Sequence, residues 1–271
     1  MSFDKPFLTI VTGTVGNIPH LKKNVASIQT QTYKNFKHLI VVDGVEYEEK
    51  VRTVINSIDL PQVETQVLVL PENTGANNWF GHRIYGASTF LVNTPWISFL
   101  DEDNFINYDY VEKIMKTIEK NKDLDWCWCK RNMVNETGEF IVKDSCESMG
   151  TQCPIWDSIS INTPLHFIDS NCWIWRRDFL MKFVNLWFNK GYQYPPTDPD
   201  RLFSFYLINN VSGQQVKSKN IVIDKHLINY TMDPKRAKFY KDGNLVVEQL
   251  KINFFKELNS GKLEGLVAQD K

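Results

Sequence analysis

An excess of charge of either sign is missing from this chain. Its 271 residues carry 31 Lys+Arg against 32 Asp+Glu, a formal net charge of −1. That balance argues against a dedicated nucleic-acid binder, which would show a basic excess. Long apolar runs are missing too. The stretch from Phe179 to Phe188 is broken by Lys182 and Asn185, so no membrane-spanning segment is expected. Residues 1–6 include Asp4 and no apolar core, so no secretory leader is expected. Cysteine is scarce, with five residues in all. An odd, small number fits reduced thiols in a cytoplasmic protein rather than a disulfide framework. The sequons at Asn135, Asn210 and Asn229 are then coincidental. Repeats, low-complexity tracts and linkers are absent as well.

What is present is globular: 42% hydrophobic and 23% charged residues, ample for a core that needs no staple. The first 120 residues alternate short apolar runs with helical periodicity. Strands are expected at Phe7–Thr12, His38–Val42, Val67–Leu70 and Trp96–Leu100, and helices on the stripes Leu21/Val25/Ile28, Val51/Val54/Ile55/Ile58, Phe80/Ile84/Ala87/Leu91 and Val111/Ile114/Met115/Ile118. This pattern implies a parallel sheet covered on both faces. Ligands bind such sheets beyond the carboxyl ends of the strands. The segments Gly13–Asn17, Asp43-Gly44, Asn73–Asn77 and Asp101–Asn104 are therefore the places to look. The second half reads as a strand at Leu124–Lys130, a hairpin turn at Glu136–Glu139, a long loop at 144–165, a strand at Phe167–Trp175, a helix at Arg177–Phe188, a helix reaching Leu207, a short strand at Ile221–Asp224 and a C-terminal helix on Val247, Leu250 and Phe254.

The strongest local chemistry is Asp101-Glu102-Asp103, directly after a buried strand. Two carboxylates at i and i+2 repel each other unless a cation relieves them, and oxygen ligands suit Mg²⁺ or Mn²⁺. The bland alternative is an acidic turn at a helix start. Cys127, Cys129, Cys146 and Cys153 can be drawn as a zinc site, but Cys127 and Cys129 flank Trp128 in a strand-like run, which more often means two thiols on one face. Trp173 and Trp175 alternate on a strand and share a face, either as a stacking platform for an acceptor sugar or as sheet core.

The order of these segments resembles family 2 glycosyltransferases of the GT-A fold. The residues that carry the likeness are Gln29–Phe36, Asp43-Gly44, Asn73-Thr74-Gly75 and Asp101–Asp103, the last resembling the family's DXD motif. The likeness covers residues 6–120 well and 165–230 more loosely. It implies an α/β architecture with a Rossmann-like, mostly parallel central sheet flanked by helices, and a smaller antiparallel acceptor-side part. It implies a single domain, 1–271, with a nucleotide-sugar-binding half at 1–120 and an acceptor-binding half at 121–271. By the same resemblance, Thr12, Gly13, Thr14, Asp43, Gly75, Arg83, Asp101 and Glu102 would hold the donor, with Asp43 accepting from the base. Asp103 and Asp101 would hold Mn²⁺ or Mg²⁺, with His226 as a further ligand. The family's aromatic residue in the loop after the first strand is replaced by Gly13–Asn17.

The implied chemistry is inverting transfer of a sugar from a nucleotide sugar, a UDP- or GDP-sugar first, to a hydroxyl of a glycan or lipid-linked acceptor. A lipid-linked acceptor would bring the chain to a membrane surface. One carboxylate must take the acceptor's proton. Thr197-Asp198-Pro199-Asp200 resembles the family's acidic segment at the start of an acceptor-side helix, so Asp198 is the favoured base, with Asp200 and Asp169 as alternatives. Two other readings stand beside this one. A nucleotidyltransferase would want basic residues in its Gly-rich loop, and none occurs before Lys22. A degenerate domain would bind nucleotide or glycan without turnover.

Overall fold

The computed structural model describes residues 5–58, 63–77, 79–144, 168–189, 199–208 and 217–232, and parts of 252–260. The expected alternation is realised: β1 (Leu8–Thr14), α1 (Ile18–Gln29), β2 (Lys37–Val42), α2 (Glu48–Asn56), β3 (Glu64–Val69), α3 (His82–Leu91), β4 (Trp96–Phe99), a two-residue β5 (Phe105–Ile106) and α4 (Tyr110–Lys120). Pro19 sits in the first turn of α1 behind the N-cap Asn17, where its missing N–H is no loss. The second half contributes β6 (Trp126–Val134), β7 (Phe140–Lys143), β8 (Trp173–Arg176), a short α5 (Arg177–Leu180), α6 (Pro199–Leu207) and β9 (Asn220–Thr231). The helix expected over 177–188 is one α-turn followed by a 3₁₀ segment, Met181–Phe188. The expected hairpin is present: Asn135 donates to the Glu139 carbonyl, and Gly138 takes φ +91° in the turn. The long loop at 144–165 and the C-terminal helix over 247–254 fall almost wholly outside the described residues.

One sheet runs β3-β2-β1-β4-β8-β6-β9-β5, with β7 added on β6. β3, β2, β1 and β4 are parallel. β8 then turns the sheet antiparallel against both β4 and β6. β1, β2 and β4 are buried along most of their length because helices cover both faces, whereas β3 at the sheet edge is only partly covered: Ile40 and Val42 pack with Leu21, Val25, Val51 and Val54 on one side, while Leu39 and Val41 join Ile84 and Tyr85 in the main core.

The ends of these strands lie side by side. Asp43 N donates to the Thr14 carbonyl at 2.9 Å, Leu70 N to Val42 at 2.9 Å and Leu100 N to Val11 at 2.9 Å. The loops after β1, β2, β3 and β4 therefore emerge together at one edge of the sheet, as the topology of open α/β sheets dictates.

Candidate active site

A cavity of about 560 Å³ opens at that edge. Its walls include Gly13 and Thr14 from the end of β1, Asp43 after β2, Asn73 and Gly75 after β3, and the whole Asp101–Asp103 turn after β4. The second half closes it with Asp169, Ser170, Asp200 and Tyr230. Among the described residues, six carboxylates line this space and His82 is the one basic side chain.

The Asp101–Asp103 turn is held from every side. Asn24 of α1 donates to the carbonyls of Asp101 (3.0 Å) and Asn104 (2.9 Å). Thr231 N donates to the Asn104 side chain at 2.9 Å, and the Thr231 hydroxyl donates to the Asp103 carbonyl. Asp101 accepts from the Tyr85 hydroxyl on one oxygen and from the Asn171 amide, at 2.7 Å, on the other. Glu102 points the opposite way: one of its oxygens accepts from the Thr14 hydroxyl and, at 3.0 Å, from Asn17 N at the start of α1. An acid there also suits the helix N-terminus. Glu102 thus ties the β1 loop to the turn.

Burial, and behind it the neighbouring carboxylate of Asp103, raise the Asp101 pKa to about 7, against the pull of its Tyr85 and Asn171 hydrogen bonds. A divalent cation would relieve both penalties, and hard carboxylate oxygens are the donors that Mg²⁺ and Mn²⁺ prefer. The residues fit such an ion on those grounds. Among the described residues no three His, Cys, Asp or Glu side chains converge to hold a metal unaided. A cation here would therefore complete its shell with oxygens of the ligand and with water.

Asp43 is almost fully buried, and its carboxylate is already engaged. Oδ1 accepts from Thr74 N (2.7 Å) and the Thr74 hydroxyl (2.8 Å), and Oδ2 from Gly75 N (2.8 Å). The Asn73-Thr74-Gly75 turn is built on it. A Cβ on Gly75 would stand 2.7 Å from the Phe80 carbonyl and 2.8 Å from Asp43 Oδ2. The glycine is thus required first by close approach within the protein. Just beyond it, Asn77 and Phe80 take φ +60° and +49°, a region that bulky residues avoid. Phe80 lines the cavity and is 43% exposed.

Several expected site residues lie elsewhere. Thr12 is fully buried and faces α1, bonded to Asn24 (3.3 Å) and His38 (3.1 Å). It lies two residues short of Thr14 at the strand end, where α1 covers it. Arg83 is off the cavity wall: it donates to the Thr74 carbonyl at 3.2 Å and lies 4.0 Å over the Trp79 ring. His226 does not follow a short strand but sits inside the long β9, opposite Lys130. It is not among the cavity residues. Burial and the charges of Lys143 and Lys130 lower its pKa.

Trp173 and Trp175 are corrected outright as acceptor platforms. Both are 0% exposed. Their rings pack on each other (4.6 Å) and on Trp126 and Phe203, which leaves no face for a sugar. Cys127 and Cys129 are buried in β6, and burial pushes both thiols up, away from the thiolate that zinc requires. Their two proposed zinc partners, Cys146 and Cys153, lie outside the described residues, as does Asp198.

Of the alternatives to Asp198, Asp200 lines the cavity from the first turn of α6. Asp169 also lines it but is fully engaged. Its Oδ2 pairs with Arg131 at 2.7 Å, and its Oδ1 accepts from Asn171 N (2.9 Å) and Nδ2 (2.8 Å). A carboxylate neutralised by a guanidinium is a poor base. Tyr85, Asn171, Arg131 and Asp144 escape a reading of the sequence, because each is joined to the site only by tertiary contacts.

Comparison with known proteins agrees with this geometry. Residues 9–183 match the family described as "Glycosyl transferase family 2". The match takes in the Asp43, Asp101–Asp103 and Asp169–Asn171 segments but ends before Asp198, Asp200 and His226. The chain is 29% identical over 116 residues to the glycosyltransferase GlyA of Streptococcus pneumoniae, covering 41% of this chain and 15% of that protein. It is 24% identical over 140 residues to an uncharacterized glycosyltransferase of Methanocaldococcus jannaschii, covering 51% of this chain and 46% of that one. The chain therefore spans less than half the length of either relative.

Among solved structures, S. aureus TarS 1–349 in complex with UDP superposes with TM-score 0.56 at 16% identity, covering 84% of this chain and 61% of that one. The mannosyltransferase PcManGT of Pyrobaculum calidifontis, in complex with GDP-Man and Mn²⁺, superposes with TM-score 0.52 at 11% identity, covering 86% and 61%. At such identities these likenesses establish the GT-A fold. With the family match over well over half its length, the chain belongs to glycosyl transferase family 2.

Proposed function

We propose that this chain transfers a sugar from a nucleotide-sugar donor to an acceptor hydroxyl, with inversion and with the help of Mn²⁺ or Mg²⁺. One observation carries the reading. The ends of the parallel strands and, from the second half, Asp169, Ser170, Asp200 and Tyr230 converge on one acidic cavity around Asp101 and Asp103. A diphosphate would be repelled by that wall unless a cation stood between them. TarS in complex with UDP and UDP-GlcNAc, and the mannosyltransferase with GDP-Man and Mn²⁺, support a UDP- or GDP-sugar and a divalent cation.

Asp103 and Asp101 are the residues that would hold the cation, which when bound supplies charge neutralisation for the diphosphate leaving group. Gly13, Thr14, Gly75 and Phe80 line the donor side, and Asp43 and Glu102 keep its two loops in place. The base that takes the proton from the acceptor hydroxyl comes from the 198–200 segment: Asp198, or Asp200 at the cavity wall. Direct displacement on the face opposite the leaving group inverts the anomeric centre. In this reading residues 1–120 serve the donor and 121–271 a glycan or lipid-linked acceptor. The free, buried thiols of Cys127, Cys129 and Cys172 support a cytoplasmic setting.

The test is a screen of UDP- and GDP-sugars with Mn²⁺, followed by Asp198→Asn and Asp200→Asn. One of the two should lose transfer by about 10²-fold or more, with UDP or GDP affinity kept within a few-fold. Full transfer in both variants would overturn the base assignment, and a product with retained anomeric configuration would overturn inversion.

A further inference from the structure

Among the described residues, Asn171 is the second-half side chain that bonds the Asp101 carboxylate, while Thr231 holds the backbone of the turn. Asn171 is 1% exposed, and both polar atoms of its side chain and its backbone N–H are hydrogen-bonded. Its backbone N–H donates to Asp169 Oδ1 (2.9 Å), and its Nδ2 donates to Asp169 Oδ1 (2.8 Å) and Asp101 Oδ2 (2.7 Å). Its Oδ1 accepts from Asp101 N at 2.7 Å. The amide can stand only this way round, since the reverse would aim its carbonyl oxygen at two carboxylates.

Behind Asn171 lies a buried ionic bridge. Arg131, 1% exposed, donates through Nε to Asp144 (2.7 Å) and pairs through Nη1 with Asp169 (2.7 Å). Asp144 is fully buried, and the Tyr230 ring lies 4.4 Å from the guanidinium carbon. Buried ion bridges seldom add net stability over apolar packing. What this one holds in place is the more informative question, and the contacts lead from Asp144 through Arg131, Asp169 and Asn171 to Asp101.

We propose that Asn171 is a positioning residue for the cation-binding carboxylates: it fixes the orientation of Asp101, and the buried Asp144–Arg131–Asp169 bridge fixes it in turn. The proposal rests on the donor-site reading above. Freed from Asn171, the Asp101 carboxylate would keep only its Tyr85 contact and could rotate about its last side-chain torsion. A cation meeting a rotating ligand binds more weakly, while the surfaces that meet the base and ribose are untouched. Partners that orient a metal ligand in this way are typically worth about 10- to 100-fold in metal affinity.

The experiment is a titration of Mn²⁺, followed by the electron paramagnetic resonance of the free ion, with saturating UDP or GDP, whichever the wild-type chain binds. Asn171→Ala should raise the Mn²⁺ concentration for half-saturation about tenfold or more. Its nucleotide affinity at saturating Mn²⁺ should change less than about threefold. Asp169→Asn is near-isosteric and breaks the pair with Arg131; it should move Mn²⁺ binding in the same direction, and it carries the test if Asn171→Ala does not fold. Thr9→Val, which breaks the buried 2.7 Å hydrogen bond to Thr94 near the opposite end of β1, should leave Mn²⁺ binding unchanged. Wild-type half-saturation in folded Asn171→Ala and Asp169→Asn overturns the proposal, as does an equal shift in Thr9→Val. Absence of Mn²⁺ binding in the wild-type chain with either nucleotide overturns the donor-site reading itself, and the proposal with it.

Discussion

The two halves of the sheet put their polar residues to work in different ways. In the parallel half, β1, β2 and β4 are buried along most of their length, and the chemistry sits at or just past their ends, at Thr14, Asp43 and Asp101–Asp103. In the half built on β8 and β6, the strand interior is a wall of indoles, Trp126, Trp173 and Trp175, backed by Phe203 and Trp187. The chemistry there enters from the turn before β8, where Asp169 and Asn171 reach across to Asp101. Position along a strand therefore locates the site in the first half. In the second, side chains on one strand face look alike whether they serve a ligand or the core, and tertiary contacts alone tell them apart.

The sharpest way to break this comparison is at the indole wall. Trp173→Ala should lower the unfolding free energy by about 3–5 kcal/mol, because it empties a fully buried site; urea unfolding measures it. If stability were kept and acceptor KM alone rose, Trp173 would be a ligand platform after all.

A smaller effect is expected from pH. With its pKa raised to about 7, Asp101 holds a proton over the range in which an ordinary aspartate is ionised. That proton competes with a cation. Mn²⁺ affinity should rise with pH up to and through about 7 and then level off, with roughly a tenfold change per unit on the rising limb if one proton is displaced. Asp101→Asn should flatten whatever binding remains, and a profile already flat from pH 5 to 8 in the wild type would contradict the role given to Asp101.

Smaller again is Phe80. Its exposed ring, on a residue with φ +49° at the cavity edge, is, among the described residues, the aromatic ring that lines the donor side of a site whose β1 loop has none. Phe80→Ala should weaken UDP or GDP binding by about 1 kcal/mol, roughly fivefold, with little change in stability. Calorimetry on both proteins gives the difference. His226→Ala marks the lower limit: lying beside Lys130 and Lys143 and off the cavity, it should leave Mn²⁺ affinity as it is.

Much of the fold was legible because periodicity is local. β1 to β4 and their helices follow from apolar runs and stripes that any parallel sheet requires. β9 was read short because exposed Asp224 and Lys225 interrupt its apolar pattern, although pairing with β6 carries the strand on to Thr231. The Asp101–Asp103 turn, Asp43, Thr14 and Gly75 were legible as polar residues at strand ends. Thr12 was misplaced because it stands inside β1, buried under α1, two residues before the strand end that reaches the cavity. Asn171 stands 70 positions from Asp101, and nothing in its neighbours Ser170 and Cys172 marks it. Arg131 looks like a solvated strand residue until Asp144 and Asp169 are seen on either side of it.

The central claim is that the cavity at the strand ends takes a nucleoside diphosphate together with a divalent cation. The direct measurement is thermal unfolding of the chain with UDP, GDP, CDP or dTDP, each with Mn²⁺, Mg²⁺ or EDTA. At 100-fold excess over its Kd, a ligand that binds only the native state adds about 2.7 kcal/mol, a shift of a few degrees in a chain of this size. The account predicts that shift for UDP or GDP with the cation, its loss in EDTA, and its loss in Asp103→Asn. An unfolding temperature indifferent to every nucleotide, with and without the cation, would contradict it.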